Sequence, residues 1–305
     1  MRKDPDTRLI SGSEVKAFQE CQMQWWFKFR LGVAPKVLSD ALFVGTVGHI
    51  ALSDFYTALK NGESVEEGTQ KMRALLGREM EKNTQHMLSG FVSATVSSLR
   101  MSLITEVMEL LDEYVEYYGK SDAEKYEIVE VEHMHISGKF FAMRLDMLMR
   151  DRSNGKLELW DHKFVGSFYS EKQLRVNSQL PLYMKVVIGE REEQVAHGVL
   201  NQLKKKPTKE EKAKGLPRFT RPHIPYNEHA VKIRERDQHD ISEDIRDFYR
   251  MPLMEAHRKV RRTLLDNTCK FCKFEAPCTA SLNGDEGGMQ ALIHADYERS
   301  TYGYN

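Results

Sequence analysis

The stretch 140–164, FFAMRLDMLMRDRSNGKLELWDHKF, decides the architecture. Its first eleven residues alternate with period two, Ser153-Asn154-Gly155 supplies a turn, and KLELWDHKF alternates again, so the segment reads as a β-hairpin. With Asn154-Gly155 as a two-residue turn, Asp146 falls opposite Lys163 and Leu148 opposite Asp161. Opposed residues share a face, and so do residues two apart on one strand. Asp146, Asp161 and Lys163 therefore converge on a surface that also carries Leu148, Leu157 and Leu159. An Asp-x-Lys in general is a half-exposed ion pair, but charges set among apolar neighbours are costly unless paired or put to use. Two carboxylates a few ångströms apart repel unless protonated or bridged by a cation, and hard oxygen donors suit Mg2+ or Mn2+. A lysine two residues along adds a positive charge for an attacking water or a phosphate, and the set describes metal-assisted hydrolysis of a phosphodiester.

Upstream of the hairpin, YEIVEVEHMHI from Tyr126 alternates too, with Ser137-Gly138 as its turn, which makes a three-stranded antiparallel meander. Downstream, Ser178 is placed to cap a helix through Gln179, Tyr183 and Val187, with Pro181 tolerated in its first turn, and Val195–Leu203 returns as a strand. Strand, helix, strand implies a right-handed crossover, so the expected fold is α/β with a mixed central sheet flanked by helices. The first 120 residues read as mostly helical. Ser11 to Glu14 has capping-box spacing, and Val15, Phe18, Gln22, Trp25, Trp26 and Phe29 recur at helical steps toward Gly32, with Cys21 on the edge of that stripe. Val47–Leu59, Val65–Met80 and Phe91–Tyr118 follow as further helices. Residues 204–221 carry eight Lys/Arg against two Glu and read as an exposed basic loop. A helical stretch over 230–265 then brings Arg258, Lys259, Arg261 and Arg262 up to the late cysteines, and a polar, loosely ordered tail is expected from Ser281. The organisation expected is a helical region over 1–125, a central core over 126–225 and a C-terminal segment over 226–305.

Of the 305 residues, 45 are Lys or Arg and 45 are Asp or Glu, so 30% are charged with no net excess, and 10% are aromatic, which excludes a disordered chain or a histone-like wrapper. A neutral chain can still line one groove with cations, so a nucleic-acid enzyme stays open. No run of 18 apolar residues and no leader-like start occur, so a soluble, cytoplasmic chain with no membrane association is expected. There are four cysteines, and Cys269, Cys272 and Cys278 crowd into ten residues while Cys21 stands alone. In a reducing compartment this suits a metal or cluster site better than disulfides, and four thiolates serve structural zinc as well as an iron-sulfur cluster. No G-x-x-x-x-G-K-[ST] phosphate loop is found, so any DNA unwinding would fall to a partner.

Asp146 with Asp161-His162-Lys163 resembles the motif of the PD-(D/E)XK nuclease superfamily, and three further elements resemble its RecB-like branch. Gly45-Thr46-Val47-Gly48-His49 is similar to that branch's G-x-x-x-H helix start, and Gln179-Leu180-Pro181-Leu182-Tyr183 to its Q-x-x-x-Y helix, in the same order along the chain. Cys21 with Cys269-x2-Cys272-x5-Cys278 resembles the iron-sulfur subgroup, which includes the AddB nuclease domain and CRISPR-associated exonucleases. The resemblance implies a restriction-endonuclease-like core. It implies His49, Asp146 and Asp161 as ligands of Mg2+ or Mn2+, with the peptide carbonyl of His162 as an added ligand. Lys163 would orient or help deprotonate water, while Gln179 and Tyr183 would hold the DNA backbone or support Lys163. The four cysteines would hold a [4Fe-4S] cluster, with Zn2+ as the alternative. The activity implied is a DNA exonuclease on single strands or duplex ends, in recombination, repair or bacteriophage DNA metabolism, working with a helicase or recombination partner. From the residues themselves, 204–221 and Arg258–Arg262 are the natural phosphate tracks, with a solvated face as the commoner role of a charge run, and Phe168 and Tyr169 are candidates to stack unpaired bases, with core packing the commoner role of any single aromatic. His162 and Phe164 stand where Tyr and Thr often flank the family lysine, and Gln22 where proline often follows the first cysteine. The rival reading is a catalytically silent DNA-binding or assembly protein with structural zinc, which the retained Asp146, Asp161 and Lys163 disfavour.

Overall fold

The computed structural model describes residues 5–90, 92–137, 141–177 and 179–300. The chain forms two compact units, one of residues 40–135 and 144–231 and one of residues 1–39, 136–143 and 232–305.

The first of these is built on a mixed sheet. Strands β3 (Tyr126–Ser137), β4 (Phe141–Asp151) and β5 (Leu157–Val165) form the expected meander. β6 (Val195–Lys204) then lies parallel to β5, with Asp161 beside Leu200 and Lys163 beside Gln202. β7 (Phe219–Thr220) and β8 (His223–Pro225) both pair antiparallel with β6. Helix α8 (Gln179–Arg191) makes the crossover from β5 to β6, with Pro181 in its first turn. Ser178 lies outside the described residues, as do Phe91 and Gly138. Asn177 caps α8, its side-chain oxygen accepting from the Leu180 amide at 3.1 Å. The short helix α7 (Glu171–Arg175), capped by Ser170, precedes it.

Three long helices, α3 (Asp40–Lys60), α4 (Val65–Leu88) and α5 (Ala94–Tyr114), form the helical part of this unit. A π-helical turn, Val115–Gly119, and α6 (Lys120–Lys125) lead from α5 into β3. α3 is long and apolar enough to span a membrane by length and composition. Its Val47, Ala51, Leu52, Phe55 and Tyr56 are instead buried, in one core with Leu110, Leu111 and Tyr114 of α5 and Met147, Met149 and Trp160 of the hairpin. Burying each such side chain contributes about 1.5–3 kcal/mol.

The hairpin register differs from expectation by two residues. Met147 pairs with Trp160 and Arg150 with Leu157, joined by a four-residue loop over 152–155. The cause is Asp151, whose Oδ1 accepts from the Ser153 amide at 2.8 Å and whose carbonyl accepts from the amide of Gly155, which is at φ +71°, at 2.8 Å. A slip of one residue would turn every side chain to the other face, whereas a slip of two preserves the faces.

Residues 204–221 are not an open basic loop. They hold α9 (Lys209–Ala213) and β7, and most of their cations are engaged. Lys204 is buried against Glu211 at 2.6 Å, Lys206 pairs with Glu106 at 2.9 Å, and Arg218 pairs with Glu113 at 2.8 Å. Arg221 is inserted between helices, bonding both oxygens of Asp122 at 2.7 Å.

The other unit joins the two ends of the chain in one core. β1 (Ile10–Ser11) runs parallel to the start of β4, with Ile10 beside Phe141. Ser11 caps α1 (Gly12–Glu20), accepting from the Glu14 amide. The Glu14 carboxylate turns inward instead of closing a capping box, and accepts from Trp25 Nε1 at 3.1 Å and Tyr249 Oη at 2.8 Å. The expected single helix is broken at Cys21, whose extended backbone separates α1 from α2 (Gln22–Trp25). α2 continues as π-helix over Trp26–Leu31 and stops at Gly32 in the left-handed region. α10 (Glu228–Arg250) ends before Pro252, and α11 (Leu253–Lys259) follows, so the helix expected over 230–265 is two helices plus an extended segment. α12 (Asp266–Lys270) and α13 (Glu275–Leu282) carry Cys269 and Cys278, and the described part of the tail from Ser281 is ordered through α14 (Glu286–Asp296). Its last strand β9 (Tyr297–Arg299) pairs with β2 (Val33–Pro35). A loose tail was expected because its residues are polar, but Met289 and Tyr297 supply the anchors that bury it.

Candidate active site

His49 lies in the interior of α3, not at its start as the motif suggests. The preceding residue explains the close approach of helix to sheet. A Cβ on Gly48 would stand 2.2 Å from the Phe164 ring, so only glycine fits there, while Gly45 has open space around its Cα. This contact sets the His49 imidazole 5.7 Å, centroid to centroid, from Phe164 and brings His49 Nδ1 to 3.4 Å from Asp146 Oδ2.

Asp146 and Asp161 come from adjacent strands of the hairpin. Strand pairing stops at Met147, and the His162 amide donates to Asp146 Oδ2 at 2.7 Å. Lys163 Nζ reaches both oxygens of Asp161, at 2.8 and 2.7 Å. Asp161 is nearly covered, with 8% of its side chain exposed, whereas Lys163 keeps 30% and His49 28%, so the lysine and the imidazole face the opening. Burial and the neighbouring Asp161 push the Asp146 carboxyl well above its usual range. Burial and Lys163 pull His49 down to about 4, which leaves a neutral imidazole near pH 7. Burial works against the Lys163 ammonium, but Asp161 and Asp146 outweigh it and hold the pKa above the usual value.

The His162 ring points away from the carboxylates into the core. It stacks on Tyr56 with centroids 5.9 Å apart and meets Asn201 Nδ2 at 2.7 Å. Behind it lies a buried polar network. Asn201 donates to Tyr114 Oη at 2.8 Å, Tyr56 Oη lies 2.7 Å from Tyr114 Oη and donates to Asp122, and Arg221 bonds Tyr114 and Asp122. The His162 ring, and with it the stretch of β5 that carries Asp161 and Lys163, is thus held from behind. The His49 and His162 rings lie 6.1 Å apart, centroid to centroid, so the peptide named as an added ligand is near the imidazole.

On α8, Gln179 Nε2 donates to Tyr183 Oη at 3.2 Å, as four-residue spacing requires. Burial, and then the charge of Asp161, push the Tyr183 hydroxyl up to about 12, partly offset by Gln179, so it stays protonated. The charges of Lys163 and Asp146 also act on this hydroxyl, so Tyr183 lies within electrostatic reach of the site. Phe168 and Tyr169 follow β5, half-buried, with Lys204 Nζ 5.7 Å from the Phe168 ring centre and the Tyr169 amide donating to Gln202.

One carboxylate that the periodicity did not single out belongs to this site. An oxygen of Glu132, on β3, lies within 4.8 Å of the ligand atoms of both His49 and Asp146. A second group with the same spacing, Glu130, His133 and His135, is taken up internally. His135 meets Glu130 at 2.7 Å and Glu190 at 2.5 Å through its two ring nitrogens, and Arg191 pairs with Glu130.

His49 Nδ1 and Asp146 Oδ2, 3.4 Å apart, are donors suited to a hard divalent cation, while Asp161 is not among the described groups whose donor atoms lie within 4.8 Å of one another and is held instead by Lys163, which adds a charge for water or phosphate. A family model for the PD-(D/E)XK nuclease superfamily matches residues 9–279. The chain belongs to the PD-(D/E)XK nuclease superfamily. A comparison with curated proteins finds no match. PD-(D/E)XK proteins are typically nucleases that use Mg2+ or Mn2+, and the fold implies DNA as substrate; the mixed sheet flanked by helices is the fold of that superfamily.

In the other unit Cys21, Cys269, Cys272 and Cys278 line one cavity of about 90 Å³ together with Phe27 and Arg262. Cys269 lies on α12 and Cys278 on α13. Burial pushes the Cys272 and Cys278 thiols up. No three of the sulfurs lie within 4.8 Å of one another. A single zinc ion with Zn–S bonds of about 2.3 Å would need the sulfurs about 3.8 Å apart. Gln24, Thr268, Glu275 and Thr279 line the same cavity, so the four thiols share it with oxygen-bearing side chains.

Proposed function

We propose that the protein is a metal-dependent DNA exonuclease of the RecB-like branch, acting on single strands or duplex ends in recombination, repair or phage DNA metabolism. The observation that carries this reading is the convergence of His49, Asp146, Asp161 and Lys163, with His49 3.4 Å from Asp146 and Lys163 2.7 Å from Asp161. His49, Asp146 and Asp161, with the His162 carbonyl, would hold one or two divalent cations. Such a cation neutralises phosphate charge and makes water more acidic. Lys163, held by Asp161, positions the attacking water and screens charge as one P–O bond forms and another breaks. Tyr183, oriented by Gln179, donates its hydroxyl toward the phosphate backbone. The four cysteines hold a [4Fe-4S] cluster in this reading, supported by their meeting at one cavity.

The test compares 5′-labelled linear single-stranded DNA with a covalently closed circle of the same sequence, in Mg2+ or Mn2+. Degradation of the linear strand with the circle intact is expected. Cutting of the circle at the same rate would remove the exonuclease reading, and no cleavage of either, nor of a linear duplex run alongside, would remove the nuclease reading.

A further inference from the structure

Glu132 is conformationally unusual. It lies inside the twelve-residue strand β3 with φ +48°, in the left-handed region that non-glycine residues rarely enter. The strand's alternation slips there: Tyr126, Ile128 and Glu130 are the buried positions before it, and His135 is buried after it. Such a local bulge re-aims a side chain and costs stability that the surrounding structure must offset. Here the re-aimed carboxylate arrives within 4.8 Å of the donor atoms of His49 and Asp146.

Its only ion pair among the described residues is with Arg144, at 3.9 Å, and that arginine is 61% exposed. The contact is too long for a hydrogen bond and leaves the two carboxylates close together. Lys163 relieves Asp161 by binding both of its oxygens. A divalent cation would relieve the pair Glu132 and Asp146 in the same way. An octahedral ion with bonds of about 2.1 Å sets neighbouring ligands about 3.0 Å apart; His49 and Asp146 stand at 3.4 Å, and the Glu132 oxygen, within 4.8 Å of both, would close in on binding. Glu132 is 29% exposed and His49 28%, so the position opens to solvent.

We propose that Glu132 is a ligand of the active-site cation, joining His49 and Asp146 in one three-donor face. The proposal rests on the nuclease reading of this site and adds to it a carboxylate from the first strand of the meander.

The test is Mn2+ binding to the intact chain without DNA, read by isothermal titration and by the loss of the free-ion EPR signal. Glu132→Gln, Arg144→Ala and Asp146→Asn are compared, each with its circular dichroism checked against the parent. Glu132→Gln should weaken Mn2+ binding by about tenfold or more, and Arg144→Ala should leave it unchanged or tighter. Unchanged Mn2+ affinity in Glu132→Gln, with affinity lost in Asp146→Asn, would overturn the role of Glu132 and leave the nuclease site standing. Equal weakening by Arg144→Ala would also overturn it, because Glu132 would then act only through that ion pair. Full Mn2+ binding by Asp146→Asn would overturn the metal site itself.

Discussion

His135 shows how much one residue can hold in place. Both ring nitrogens meet carboxylates, Glu130 on its own strand and Glu190 on α8, and Arg191 completes the group. Burial would lower the His135 pKa, but hydrogen bonds to Glu130 and Glu190 raise it above 6.5. Burial would raise Glu130, yet His135 and Arg191 bring it down to about 2. A raised histidine contributes stability that is complete below its unfolded value and lost as pH climbs through the folded one. A depressed carboxylate contributes stability that is present above its unfolded value and lost as pH falls through the folded one. The group therefore stabilises most between the ordinary values of 4.5 and 6.5. His135→Gln should lower the melting temperature most near about pH 5.5, with the difference shrinking toward about pH 9. A difference that stays constant over that range in a melting series would contradict the pairing.

At the scale of elements, the site faces were legible because period-two alternation fixes which side of a strand a residue occupies, whatever the turn. That is why Asp146, Asp161 and Lys163 share a face although Asp151 lengthens the turn and shifts the register. The helical steps of α3 and α8 likewise placed His49, Gln179 and Tyr183 on helices. Three features were not legible, each because a distant partner decides it. The apolar spacing runs straight through Cys21, and nothing local marks the break between α1 and α2. Glu132 alternates normally in the sequence, and its left-handed backbone appears only when β3 is built against its neighbours. The cations of 204–221 look free in the sequence because Glu106, Glu113 and Asp122 lie about a hundred residues upstream. Arg221 is the clearest case: it sits over the Tyr118 ring at 3.3 Å and the Trp160 ring at 4.5 Å and braces the core behind His162. Removing one partner of such a buried pair typically costs about 3–5 kcal/mol, which assigns Arg221 to stability and not to phosphate contact.

At the scale of the molecule, the four cysteines and the site carboxylates fall in different units. Cys21 and the late cysteines belong to the unit that gathers the two chain ends, around a core containing Trp25, Phe27 and Phe274, with Phe27 and Phe274 stacked at 5.3 Å. If these thiolates hold the proposed cluster, protein purified without oxygen should contain about four iron and four sulfide per chain and absorb visible light. Cys21→Ala should lower iron content and melting temperature as much as Cys272→Ala does. Stoichiometric zinc without iron would contradict the cluster. The carboxylates and Lys163 belong to the other unit, and the claim that they cut phosphodiesters is the centre of the account. The most direct measurement is degradation of linear single-stranded DNA in Mg2+ or Mn2+ by the parent chain, Asp161→Ala and Lys163→Met, with folding checked by circular dichroism. Both variants should stay folded and lose activity by about a hundredfold or more. Cleavage by folded Asp161→Ala at the parent rate would contradict the account.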